Sequence, residues 1–208
     1  MKKLITLIFG TALLFSTSAY SDVMVGVKVG NGDLEGTSKA YTAGSRTTPA
    51  TTASKDSNFG AIFAEISMGD TGLSIGVEHV PLDADITLNG ANSSTSANVS
   101  DFTTGYLLYM HQLDSASVYA KAGYSHAEIG AIKSKSTVVN QSDSLEGYMV
   151  GAGIQIPDFA NGLVGRFEAT YTEFDDVTAT TTSAGSTSVA KKGSGELVTF
   201  TFGVSKSF

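Results

Sequence analysis

The last segment of the chain decides the fold, because residues 197–208 read LVTFTFGVSKSF. Val198, Phe200, Phe202, Val204 and Phe208 share one parity and alternate with threonine, glycine and serine. Successive side chains of a β-strand point to opposite faces, so this period of two predicts a strand with one apolar face and one small, polar face.

The same alternation recurs along the chain in segments of about ten residues. We predict eight strands, near residues 23–29, 59–68, 73–79, 101–111, 117–129, 146–156, 163–174 and 194–208. Long connections rich in Thr, Ser, Ala and Gly are expected to be solvated loops at residues 33–58, 82–100, 133–143 and 175–193. Short turns are expected at residues 69–72, 112–116 and 157–162. Within the second loop, Asn89 and Gly90 form a hairpin signal that would extend the pair of strands on either side of it.

Long and short connections alternate, so both ends of the ring of strands lie on the side of the short turns. The charged residues then indicate which face meets lipid. Lys28, Glu78, Lys121, Arg166 and Glu168 lie in mid-strand, opposite the apolar set. A soluble barrel would also alternate, but it would need bulkier core side chains than Ala120 and Ala122. We therefore predict an all-β protein, an eight-stranded antiparallel up-and-down transmembrane β-barrel with its charges in the lumen.

Six lumen charges form the main candidate site: Lys28, Glu65, Glu78, Lys121, Arg166 and Glu168. One hypothesis is a plug that changes its pairing and opens a narrow path. The alternative is that the charges simply neutralise one another in a lumen that is barely wider than its own side chains.

The amino terminus has the features of a secretory signal. Lys2 and Lys3 precede an apolar stretch over residues 4–15 that small residues follow. We expect residues 1–21 to be removed and residues 22–208 to form the barrel domain. Removal changes the net charge from −7 to −9, and such an acidic chain is a poor partner for nucleic acid. The chain has no cysteine and therefore forms no disulfide.

Two internal runs, VYAKAGYS at residues 118–125 and RFEATYTEF at residues 166–174, join the terminal pattern in a resemblance. The chain resembles the small bacterial outer-membrane barrels related to the OmpA transmembrane domain and to opacity-type surface proteins. The resemblance implies a location in the bacterial outer membrane. It also implies that the assembly machinery recognises Phe200, Phe202, Val204 and Phe208. Lys206 departs from the family pattern, and the wall-binding domain of full-length OmpA-like proteins is expected to be missing.

We expect a structural and surface-interaction role through the four long loops, with outer-membrane lipid, lipopolysaccharide and a host or cell-surface ligand as partners. A narrow channel for ions or small solutes is the first alternative, and a lipid-modifying enzyme is the second. Ser125, His126 and Glu128 include the residue types of a catalytic triad, but alternation places Ser125 and His126 on opposite faces. No metal site or cofactor is expected, because His79, His111 and His126 lie on different strands.

Overall fold

The computed structural model describes residues 22–43, 46–81, 84–90, 93–130, 133–134, 138–141, 144–182 and 189–208. The predicted signal sequence at residues 1–21 lies outside this set. No helix in the described part of the chain is long and apolar enough to cross a membrane.

Eight long strands of the described residues form one closed ring, in which every neighbouring pair is antiparallel. They are β1 (Val23–Ser38), β4 (Thr51–Ser67), β5 (Leu73–Val80), β7 (Ser93–Gln112), β8 (Ser117–Ile129), β11 (Ser144–Ala160), β12 (Leu163–Thr182) and β13 (Val189–Ser207). Shorter strands are β2 (Tyr41–Ala43), β3 (Arg46–Thr48), β6 (Ala84–Gly90), β9 (Lys133–Ser134) and β10 (Val138–Gln141). β1 and β13 pair continuously, from Met24 with Ser207 to Ser38 with Gly193, which closes the ring. The predicted fold class is confirmed.

Tight reversals join the strands at one end of the barrel. A 3₁₀ turn at Gly69–Thr71 ends at Gly72, whose φ of 74° favours glycine. The turn between β11 and β12 is shorter than predicted, because β11 continues through Pro157 to Ala160 and only Asn161 and Gly162 remain between the strands. The chain end lies on this side too, since the amide of Val23 donates to the carbonyl of Phe208.

Within the described residues the long connections are largely strand, so the prediction of loops is wrong there. β1 runs on to Ser38 in register with β4, and β12 runs on to Thr182. Threonine is a good strand former, and each extension pairs with its neighbour, so the backbone hydrogen bonds of a polar segment are satisfied in the ladder. A hairpin is present as predicted, because β6 pairs with the first part of β7, but Asn89 and Gly90 are the last residues of β6 and pair with Ser94 and Ser93.

The outer face of the ring is an apolar belt. Val27 is 58% exposed, Phe200 65% and Leu107 56%. Toward the end with the long connections the belt finishes in Tyr124 and Tyr148, whose rings meet edge to face with centroids 5.3 Å apart. Exposed apolar surface of this kind is stable only against lipid, and aromatic girdles border the apolar band of membrane barrels.

We predict that Val27→Arg lowers the free energy of unfolding by about 2–4 kcal/mol, the cost of an arginine on the lipid face near the midplane. Asp33→Arg is the matched control, because Asp33 occupies the same face of β1 beyond the apolar belt, and it should cost about 0–1 kcal/mol. Denaturant titration of the protein in lipid vesicles measures both. Equal effects at the two positions would contradict the assignment of this face to lipid.

Candidate functional site

Six charged side chains from five strands converge inside the barrel. They are the predicted lumen residues, namely Lys28 of β1, Glu65 of β4, Glu78 of β5, Lys121 of β8, and Arg166 and Glu168 of β12. The ring of strands brings together all six, because each occupies the inward parity of its strand. We call this cluster the plug.

One half of the plug is a ring of two lysines and two glutamates. Lys28 Nζ lies 2.6 Å from Glu78 Oε2 and 2.8 Å from Glu168 Oε1. Lys121 Nζ lies 3.3 Å and 2.7 Å from the same two oxygens. Each lysine is therefore shared by both carboxylates. The Glu78 side chain is 13% exposed and the other three are 0–2% exposed, so Glu78 is the charge that reaches open space.

The other half of the plug is built on Arg166. Its Nη1 lies 2.5 Å from Glu65 Oε1, and its Nη2 donates to Glu65 Oε2 at 2.8 Å, a bidentate pair. The same Nη2 donates to the side-chain oxygen of Gln155 at 2.8 Å. Tyr106 donates to Glu65 Oε1 at 2.8 Å, so the carboxylate accepts from two residues.

Charge balance explains why such a cluster is tolerated away from water. Three cations face three carboxylates, so the plug is neutral. Burying an ion is costly unless it is paired and hydrogen-bonded, and each plug residue has at least one partner of opposite charge. Loss of Arg166 or Glu65 would leave its partner buried without an opposite charge, whereas loss of one of the other four would leave their ring with a net charge.

Three aromatic rings form the inner wall around the plug, and each lies over a glycine on the neighbouring strand. The ladder pairs Gly26 with Phe63, Gly76 with Tyr106, and Gly153 with Tyr119. A Cβ at any of these glycines would overlap the paired ring. The missing side chains let the rings lie flat against the wall and leave the lumen centre to the charges.

The rings also bind the cations. Lys121 Nζ is 4.6 Å from the centroid of Tyr106, and the guanidinium carbon of Arg166 is 4.8 Å from the centroid of Tyr119. Tyr119 donates to Glu168 at 2.9 Å as well, so this ring contacts both an anion and a cation of the plug. Such desolvated cation–π contacts contribute about 2 kcal/mol each.

The sequence analysis did not identify four uncharged residues that contact the plug, namely Tyr106, Tyr119, Phe63 and Gln155. Tyr119 shares the parity of Lys121, and that parity was the available signal. No such signal marked Tyr106, because the run YLLYM at residues 106–110 is apolar on both faces of the strand.

The residue types considered for catalysis are separated by the wall. Ser125 is buried, and its hydroxyl lies 2.8 Å from the hydroxyl of Thr104 inside the barrel. His126 is paired with Glu146 at 3.3 Å, and this glutamate is partly exposed. Within the described residues, no group of three histidine, aspartate or glutamate side chains is arranged to hold a metal ion.

Three of the predicted assembly residues, Phe200, Phe202 and Val204, occupy the outward parity of β13, and Phe208 directly follows this strand. Phe200 and Phe208 are 65% and 75% exposed, and Phe202 and Val204 are half-buried. Phe202 is partly covered because its ring contacts Phe159 and Phe167, with centroids 5.7 Å and 4.9 Å away.

Comparison with known proteins yields the fold. No protein-family model and no curated protein matches the chain. Several solved structures match the chain, although they share few identical residues with it. Outer membrane protein AlkL shares 13% identity at a TM-score of 0.63, with 93% of each chain covered. Neisserial surface protein A shares 11% at 0.53, with 89% of this chain and 97% of that one covered.

A third similar structure is the outer membrane protease OmpT from Escherichia coli, with 10% identity, a TM-score of 0.54, and 92% of this chain and 99% of that one covered. These three likenesses give the chain the fold of outer-membrane β-barrels. Together with the exposed apolar belt, they support the predicted location in the bacterial outer membrane.

We predict that Glu65→Leu lowers the free energy of unfolding by about 3–5 kcal/mol, because it leaves the Arg166 guanidinium buried without its bidentate partner. The double variant Glu65→Leu with Arg166→Met should recover most of that loss, since no charge remains unpaired. Lys39→Met removes the exposed pair with Asp176 and should cost at most about 1 kcal/mol. Denaturant titration in vesicles measures all three, and a double variant less stable than Glu65→Leu would contradict this account.

We also predict that Gly76→Ala lowers the free energy of unfolding by about 1–3 kcal/mol, because its Cβ overlaps the ring of Tyr106. Gly105→Ala, next to Tyr106 in sequence, has open space around the added Cβ. It should be neutral or stabilising by up to about 1 kcal/mol, the usual gain over glycine in a strand. The same titration compares them, and a harmless Gly76→Ala would show that the ring does not need its glycine.

Proposed function

We propose that the protein is a closed outer-membrane barrel that acts at the cell surface through the parts of its wall and connections beyond the bilayer. The observation that carries the proposal is the plug. Its six charges, the rings of Phe63, Tyr106 and Tyr119, and Gln155 occupy the lumen with nearly no exposed side-chain surface. A lumen filled in this way supports a structural and interaction role over transport.

The length of the strands supports a role outside the bilayer. A tilted strand crosses the hydrocarbon in roughly 9–11 residues. β7 and β12 have 20 residues each and β13 has 19. The additional strand residues form a ring of paired strands on the side of the long connections, which we call the collar. On β1 the outward residues of the collar are Asn31, Asp33 and Glu35 instead of valines. A collar of ladder-paired strands holds surface loops in place at a fixed distance from the membrane.

A narrow channel is the second candidate, and one detail of the plug favours it. Glu78 and Glu168 each contact both Lys28 and Lys121, so the four groups have alternative pairings of equal charge. A shift between such pairings is the kind of change that opens a path. We assign no catalytic role, because Ser125 and His126 are on opposite sides of the wall.

We predict that the wild-type protein, inserted in planar bilayers, shows no discrete channels. Arg166→Ala with Glu168→Ala should produce conductance steps, because it removes two large side chains from the lumen. Glu65 then has no arginine partner and the two lysines keep only Glu78, so water can fill the vacated space. Lys39→Ala with Asp176→Ala, which changes only the exposed pair, should stay silent. Wild-type channels of the same size as those of the double variant would replace the proposed function by the channel.

A second experiment tests which end of the barrel faces outward. The chain has no cysteine, so a single introduced cysteine is a specific label site. Thr47→Cys lies in β3 beyond the ends of β1 and β4, and Asp114→Cys lies in the short turn between β7 and β8. On intact cells a membrane-impermeant maleimide should label Thr47→Cys and not Asp114→Cys. The reverse pattern would contradict a surface role for the long connections.

A further inference from the structure

The barrel has a partly open cavity of about 150 Å³ between the plug and the end with the long connections. Glu78, Lys121 and Thr104 form its floor. We call this cavity the cup.

The walls of the cup are mainly apolar, contrary to what a water-filled vestibule requires, although Ser57, Asn58 and Thr199 also line it. Leu34, Phe59, Phe102, Phe174 and Leu197 line it. Along β12 the inward side chains change from Arg166 and Glu168, through Thr170 and Thr172, to Phe174. The lumen thus becomes more apolar toward the outside, although the strands there already extend beyond the bilayer and face water.

Two β-bulges shape the wall of the cup. In β7 the register with β8 shifts between Ser100 and Thr103, and Asp101 has a φ of 54°, unusual for a residue other than glycine. Val99 and Phe102 are three residues apart, so they would face opposite sides of a regular strand, yet both line the cup. Bulges redirect side chains in this way and are frequent beside functional sites.

The second bulge lies in β12, directly after Phe174. The rings of Phe174 and Phe102 meet edge to face with centroids 6.2 Å apart, so the two irregular segments support one continuous aromatic wall. Both bulges therefore act on the same side of the same cavity.

We propose that the cup binds a small, uncharged, mainly apolar molecule, of the size of a single aromatic ring and with at most one hydroxyl group. Apolar cavities of about this volume bind benzene in other proteins. The charges of the floor already neutralise one another, so a charged ligand would lose its hydration without gaining a partner. One hydroxyl has acceptors and donors within the cup at Glu78 and Thr104.

The test measures binding of 4-fluorobenzyl alcohol to the protein in lipid nanodiscs, followed by ¹⁹F NMR against nanodiscs without protein. Wild type should bind it saturably, and 4-fluorobenzoate, of similar shape but charged, should not bind. No saturable binding of the alcohol, or equal binding of the benzoate, would overturn the proposal.

A pair of glycine variants on one face of β1 locates the site. Gly32 lines the cup, and its Cβ would lie 3.2 Å from Leu197, so Gly32→Leu fills the space. Gly36 lies four residues further along the same face of β1, where the nearest atom to a Cβ is 4.0 Å away. We expect Gly32→Leu to weaken binding at least about tenfold and Gly36→Leu to change it less than about twofold.

Thr199→Phe fills the cup from β13 and is a second, independent variant, in case Gly32→Leu does not fold. It should weaken binding to the same extent. Retained binding in both cup variants would place the ligand elsewhere and overturn the proposal. Equal losses in Gly36→Leu and Gly32→Leu would do the same.

Discussion

Hydrocarbon offers no hydrogen bonds, and the rest of this structure depends on that constraint. Backbone groups in a bilayer must be satisfied by the protein itself, so a chain of strands has to close its ladder. The pairing of β1 with β13 does so. At the level of the apolar belt the same constraint sends the charges to the inside, where Lys28 and Arg166 contact carboxylates, and leaves valine and phenylalanine for the lipid.

Inside the ring the lumen is divided into two parts of opposite chemistry. At the level of the membrane it is ionic and closed, and aromatic rings seated on glycines leave room for the ion pairs. Further out it is apolar and open enough to hold a small molecule. Glu78 joins the two, because it belongs to the plug and is also the most exposed of the six charges. A neutral plug is therefore both the barrier of the barrel and the floor of the cup.

The sequence predicted the fold and the members of the plug well, since both depend on parity. Strands with clean alternation, such as β8, were placed to the residue at Ser117–Ile129. The plug aromatics were missed where parity was silent, as at Tyr106 in an apolar run. The extensions of β1 and β12 were missed for a different reason. Their Thr and Ser content is typical of loops, and only pairing with the neighbouring strands makes them strands. The cup depends on two bulges, which no local pattern in the sequence indicates.

The most direct measurement of the central claim is the lipid exposure of two adjacent residues on β7. The chain has no tryptophan, so Leu107→Trp and Leu108→Trp each give a single fluorophore at neighbouring positions that are 56% and 1% exposed. With the folded proteins in vesicles of lipid brominated in the middle of the acyl chains, Leu107→Trp should be strongly quenched and Leu108→Trp only weakly. Equal quenching, or stronger quenching of Leu108→Trp, would contradict a barrel that faces lipid with one parity and buries its charges behind the other.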